Sequence, residues 1–113
     1  MTYEPNSLSP EQDRSAIELT LAMLQRNDYK ITFAVVHAPF FPSDIVATHS
    51  NGSKIIVEVR TSINQRAELS PGDKNRLLKL AKILGASPFV SLVTFENDGK
   101  SLPSKPELLE IIP

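Results

Sequence analysis

Asp44, Glu58 and Arg60 are the residues whose types and spacing point to chemistry. Two carboxylates on neighbouring strands form an oxygen cradle for a divalent cation such as Mg2+, which takes one or two carboxylates together with water and substrate phosphate. Arg60 lies two residues beyond Glu58, hence on the same strand face, where its guanidinium can hold a phosphate oxygen. Glu18 is a further carboxylate, but its helical angle groups it with Arg14 and Gln25, the composition of a solvated face. The plainer arrangement of the same residues is an ion pair of Glu58 with Arg60 or Lys54, and an Asp44 that merely ends a loop.

Whether Asp44 meets Glu58 depends on one turn. The runs 44–48 and 54–60 flank His49-Ser50-Asn51-Gly52-Ser53, and Asn-Gly between two apolar runs signals a hairpin. A two-residue turn at Asn51-Gly52 sets Asp44 against Val59 and sends the two carboxylates to opposite faces of the sheet. A three-residue loop, Ser50-Asn51-Gly52 with Gly52 left-handed, sets Asp44 directly across from Glu58. Their Cβ atoms then lie about 5 Å apart, and like charges so opposed destabilise a sheet unless a cation sits between them.

The elements that must position these residues are legible along the chain. Ser9 as N-cap, Pro10 at the first helical position and Gln12 closing a capping box start a helix that runs to about Arg26. Its apolar residues fill an arc of roughly 200°, wider than a one-sided stripe, so the helix is expected to be buried on more than one side. A β-branched and aromatic run over 31–37 reads as a strand, ended by Pro39 and Pro42. Residues 61–69 are polar and read as a loop. Ser70-Pro71 repeats the helix start, and Leu77, Leu78, Leu80, Ala81, Ile83 and Leu84 form an apolar side before Gly85 stops the helix. Lys74, Arg76, Lys79 and Lys82 form its polar side. The run 88–95 is the most apolar strand and is expected to be central. The tail adds at most one short element. The order is α-β-β-β-α-β, and a helix connecting the third and fourth strands makes them parallel by a right-handed crossover. A mixed sheet flanked by helices is expected.

Composition narrows the function classes. The chain has 113 residues, 41% hydrophobic and 22% charged. That gives one domain over 1–113, with a core at about 10–95 and an extension over 96–113. The absence of Cys removes thiolate nucleophiles and Cys-ligated metal centres, and His37 and His49 alone are too few for a multi-histidine zinc site. No apolar run is long enough to span a bilayer, and residues 1–10 lack the basic flank and apolar stretch of a secretory signal, so the expectation is a cytoplasmic protein. Net charge is −1, poor for a protein living on phosphate backbone. Residues 54–82 nevertheless hold seven basic against three acidic groups. If DNA binds, Arg60, Arg66, Lys74, Arg76 and Lys79 are the expected contacts; a merely solvated helix face is the simpler alternative.

Taken together, the stretches Ser15-Ala16-Ile17-Glu18, His37-Ala38-Pro39, Pro42-Ser43-Asp44-Ile45-Val46-Ala47, Ile56-Val57-Glu58-Val59-Arg60-Thr61 and 77–85 with the following strand resemble the PD-(D/E)XK nuclease superfamily. Within it they resemble most the archaeal Holliday junction resolvases. The resemblance spans roughly residues 14 to 95. It implies a restriction-endonuclease-like α-β-β-β-α-β core, a Mg2+- or Mn2+-dependent endonuclease acting on branched DNA, and a homodimer. It assigns metal binding to Glu18, Asp44 and Glu58. The Lys of the E-x-K signature is Arg60 in this chain, and a guanidinium stabilises phosphate charge without exchanging a proton near neutral pH. The basic, Ser-containing loop of the resolvases is reduced to Phe40-Phe41-Pro42-Ser43, and Asp73 stands where a Gln is often found. The alternative function is a catalytically weakened or inactive relative serving as a nucleic-acid- or protein-binding module. Surplus apolar residues put Phe40, Phe41 or the C-terminal Leu108-Leu109-Glu110-Ile111-Ile112 at the expected dimer interface.

Overall fold

The computed structural model describes residues 10–34, 43–63, 70–95 and 105–112. The elements are α1 (Pro10–Arg26), β1 (Tyr29–Ala34), β2 (Ser43–His49), β3 (Lys54–Ile63), α2 (Pro71–Leu84), β4 (Ser87–Phe95) and β5 (Glu107–Glu110). The strands form one mixed sheet in the order β1-β2-β3-β4-β5. β1, β2 and β3 pair antiparallel, β3 and β4 parallel, and β4 and β5 antiparallel. The chain is thus an α/β protein with the expected element order and one further strand.

Each boundary has a local cause. α1 ends where Asn27 donates through its side chain to the Met23 carbonyl at 2.7 Å. Asp28 then turns left-handed at φ 68°, a conformation that a short polar side chain tolerates. Ser70 caps α2 by accepting from the Asp73 amide at 3.1 Å, with Pro71 in the first turn, the pairing of cap and proline that favours a helix start. Gly85, left-handed at φ 63°, ends it. The following Ala86 amide donates to the Ala81 carbonyl at 2.9 Å, satisfying an orphan carbonyl of the last turn. The expected N-cap Ser9, His37 and the rest of 35–42, and the polar segment 64–69 lie outside the described residues. Thr61, Ser62 and Ile63, expected in that loop, instead continue β3 against Val93, Thr94 and Phe95. Parallel pairing to an apolar neighbour outweighs the weak strand pattern of those three residues.

Alternation along β3 divides the core into two layers. Ile55, Val57 and Val59 join Ile45, Ala47, Val93 and Phe95 against Ala16, Ile17 and Leu24 of α1. Ile56 joins Val90 against Leu77 and Ala81 of α2 on the other face. The wide apolar arc of α1 resolves into one buried stripe, Ala16, Ile17, Thr20 and Leu24, with Leu19, Leu21 and Met23 half-buried beside the same cluster. Among the described residues this helix presents one buried stripe to the sheet. β4 is interior as expected, but β3 takes the middle of the sheet, because β5 occupies only the outer edge of β4. On α2, Ile83 departs from the expected apolar side. Six residues beyond Leu77 it has rotated well off the sheet-facing stripe, and it is exposed.

One polar contact lies inside the α1 layer. Thr20 donates its hydroxyl to the Ala16 carbonyl at 2.8 Å and lies 2.7 Å from the Ser91 hydroxyl, both side chains being fully buried. With the Thr20 proton given to Ala16, the Ser91 hydroxyl must donate to Thr20. Thr20→Val is expected to cost about 1–3 kcal/mol, because it leaves the Ser91 hydroxyl buried without that acceptor. Ser91→Ala removes a group whose partner keeps its Ala16 bond, so it should cost less, and the double variant should be more stable than Thr20→Val alone. Urea midpoints of the three variants check this ordering.

Candidate functional site

The site begins with the turn. His49 and Ser53 close a three-residue loop: the His49 amide donates to the Ser53 carbonyl at 2.7 Å, and the Gly52 amide donates to the His49 carbonyl at 2.9 Å. Asn51 holds the loop from within, its side-chain oxygen accepting from the Ser53 amide at 2.8 Å. Gly52 sits at φ 95°, where a side chain is strained. Across β1, Tyr29 meets His49 edge to face with centroids 4.9 Å apart. Of the two registers the sequence left open, this loop selects the one that sets Asp44 directly opposite Glu58, with Val46 opposite Ile56.

Glu58 lies on the α2 side of the sheet, at the middle strand, with no solvent exposure. A carboxylate there is expensive unless it is paired and hydrogen-bonded. Two guanidiniums answer it. Arg76 donates through Nη2 to Glu58 Oε1 at 2.7 Å, and Arg60 Nη2 lies 3.4 Å from the same oxygen. Arg60 is anchored more tightly elsewhere, donating through Nη2 to Asp73 Oδ2 at 2.6 Å. Asp73, Arg60, Glu58 and Arg76 therefore form a continuous chain of alternating charge, with one wholly buried member. The Arg side chains are 27% and 35% exposed, so the cluster opens to solvent on its cationic side.

No family model, curated protein or solved structure matches this chain. What the site can do rests on its geometry.

The structure brings three of the expected site residues together and leaves others apart. Asp44 and Glu58 are neighbours by register, and Arg60 shares the face of Glu58. Glu18 is elsewhere: it lies on α1, the helix packed on the opposite face, with its side chain 66% exposed and 3.9 Å from Arg14, as its helical angle suggested. Lys74 and Lys79 lie on the outer part of α2, half-buried and exposed respectively, while Arg66 is outside the described residues. Arg76 departs from expectation, since it was grouped with the solvated lysines and instead reaches Glu58. Asp73, which the resemblance marks only as a substituted position, is the anchor of Arg60. A signal for both was present in the sequence. Asp73, Arg76, Leu77 and Leu80 follow the i, i+3, i+4, i+7 spacing of one helix face, and Leu77 is the most buried residue of α2.

Among the described residues no group of three His, Asp or Glu side chains forms a metal-binding set. A Mg2+ ion does not require one, since one or two carboxylates suffice when phosphate and water complete the shell. The observation that bears on fit is the cation already at Glu58. Glu58, the buried carboxylate, is already contacted at 2.7 Å by the Arg76 guanidinium. Among the described residues no helix is long and apolar enough to cross a membrane.

Proposed function

We propose that the chain is a metal-dependent endonuclease acting on branched DNA, with a restriction-endonuclease-like core. The observation that carries this reading is the hairpin register, which sets Asp44 opposite a wholly buried Glu58 and keeps Arg60 on the face of Glu58. Asp44 and Glu58 would hold Mg2+ or Mn2+. The ion, when bound, supplies Lewis-acid polarisation of the phosphate and a water of lowered pKa. Arg60, partly exposed and held in place by Asp73, stabilises negative charge on the phosphate without itself moving a proton. Glu18 enters this reading by the resemblance alone. Lys74 and Lys79 track the DNA backbone through charge, which makes affinity fall with salt. A homodimer, with two sites addressing symmetric strands, completes the reading; Phe40 and Phe41 lie outside the described residues. β5 uses part of the apolar C-terminus within the chain itself, leaving Ile112 exposed.

A second reading is favoured by a specific observation. With Glu58 already met by Arg76, and Arg60 in the place of a Lys, the fold also suits a non-catalytic nucleic-acid- or protein-binding module. One experiment separates the two: labelled four-way, forked and linear DNA incubated with Mg2+ or Mn2+. The expected result is nicking of the branched substrates that is abolished in Asp44→Asn. Retention of these DNAs at low salt without cleavage under either metal gives the module.

A further inference from the structure

We infer that Asn51-Gly52 is a modification site, where the chain deamidates spontaneously to aspartate and isoaspartate, and that the hydrogen bonds of the β2–β3 loop confine the reaction to the moments when the loop opens. This holds whatever Asp44 and Glu58 bind. The same loop sets those two residues opposite each other.

Asn51-Gly52 is the one Asn-Gly of the sequence, and both residues are exposed. Gly52 has no Cβ to hinder its own backbone nitrogen, and the space beside it is open, since a Cβ placed there would meet nothing within 4 Å. In the reaction the Gly52 nitrogen loses its proton to solvent base and attacks Asn51 Cγ. A C–N bond closes a succinimide ring, and the Cγ–Nδ2 bond breaks to release ammonia. Water then opens the ring. Hydrolysis at Cγ gives aspartate; hydrolysis at the backbone carbonyl gives isoaspartate, whose main chain is longer by one methylene. Water is the only co-reactant, and nothing is oxidised or reduced.

The folded loop engages both reacting groups. The Gly52 N–H, which must be lost, is given to the His49 carbonyl at 2.9 Å, and the Asn51 carboxamide is held by accepting from the Ser53 amide at 2.8 Å. His49 braces the segment again: its Nδ1 accepts from the Asn51 amide at 3.0 Å, while its ring is seated against Tyr29. The Ser50 amide donates to the Asp28 carbonyl at 3.0 Å and ties the loop to the turn after α1. Ring closure therefore waits for local opening, and opening of an exposed loop is a smaller event than unfolding of the sheet. The isoaspartate product does not return to the same loop. Its added backbone atom lies inside the ring that the His49 amide closes on the Ser53 carbonyl, so the three-residue connection no longer fits the pairing of Thr48 with Lys54. Deamidation by this branch disturbs the register from the turn inward.

The test is to hold the full chain at mildly alkaline pH, folded in buffer and unfolded in urea, and to digest samples with trypsin over time. Cleavage after Lys30 and Lys54 releases the fragment 31–54, which contains Asn51 and no other Asn or Gln, so an Asn-to-Asp mass change in it reads this residue alone. A loop open about one-tenth of the time or less reacts about tenfold or more slowly than the unfolded chain, and that is the expected ratio. His49→Phe keeps a ring against Tyr29 and loses the acceptor at Nδ1. Its folded rate is expected to rise about two- to tenfold, the change in population that one hydrogen bond of ordinary strength controls. Urea below the unfolding midpoint should leave the folded rate nearly unchanged, as local opening requires. A folded rate equal to the unfolded one overturns the inference, and so does a folded rate that His49→Phe does not raise. Absence of deamidation in fragment 31–54 even from the unfolded chain overturns it as well. Aged chain enriched in isoaspartate should melt lower than Asn51→Asp, which keeps the acceptor for the Ser53 amide on an unaltered main chain; equal melting overturns the effect on register.

Discussion

Arg76→Ala lowers the free energy of unfolding by about 3–5 kcal/mol in metal-free buffer, the range seen when one partner of a buried ion pair is deleted. The substituted residue is not itself deeply buried; the penalty falls on Glu58, which has no exposed surface and loses the donor at 2.7 Å. Arg60, 3.4 Å away and engaged with Asp73, replaces that contact only in part. The reverse substitution is milder. In Glu58→Leu the two guanidiniums lose this one acceptor, but Arg60 keeps Asp73, and each is about a third exposed and can turn its charge into water. The asymmetry, with loss of the cation costing more than loss of the anion, is the specific expectation. Urea denaturation at neutral pH measures both, and equal losses would mean that Glu58 rehydrates. Since small domains hold about 5–15 kcal/mol in total, the Arg76 variant is expected to melt far below wild type.

How much of this was legible beforehand can be argued from particular residues. Helix α2 could be read to its ends because Ser70, Pro71 and Gly85 act through neighbouring backbone groups, and such chemistry is written in adjacent letters. The hairpin register was half legible: Asn51-Gly52 marks a turn, but a loop of two residues or three depends on bonds from His49 and Ser53 that composition does not rank. β5 was visible only as an apolar tail, because four residues flanked by Pro have no period of their own and become a strand only against Phe89 to Leu92. The candidate site was legible as Asp44, Glu58 and Arg60, which are close in sequence across one hairpin. Arg76 was legible only in part: its spacing with Leu77 and Leu80 puts it on the sheet-facing side of α2, but its contact with Glu58 is fixed by how α2 sits on β3, a non-local fact. Charged helix residues look solvated until the sheet beneath them is known to carry an opposite charge.

Leu77→Ala has the second large expected effect, about 2–5 kcal/mol, the range for truncating a buried leucine. Leu77 is fully buried and packs with Ile56, Val90 and Ala81, making it the main apolar anchor of α2 on the sheet. Val46, Leu80, Ala86 and Ile111 line the same cluster only in part, so nothing larger is placed to fill the gap. The loss should exceed that of Leu80→Ala, one turn further on and only half-buried. A drop in the denaturation midpoint with an unchanged m-value would identify it as a stability change rather than a change of the unfolded chain. Because Leu77 neighbours Arg76, this contact also fixes the helix from which the guanidinium reaches down to Glu58.

The short last strand has a consequence for the protein's behaviour in a crowded solution. β4 is the most apolar strand of the sheet, and without β5 its backbone donors and acceptors from Phe89 to Leu92 would face outward as an open ladder. Such an edge invites another chain to pair with it and grow into an aggregate. β5 replaces it with a border of four residues that carries Glu110 opposite Phe89 and Glu107 opposite Leu92. Both glutamates are exposed, so a second molecule approaching this border meets like charge and finds only a short stretch on which to pair.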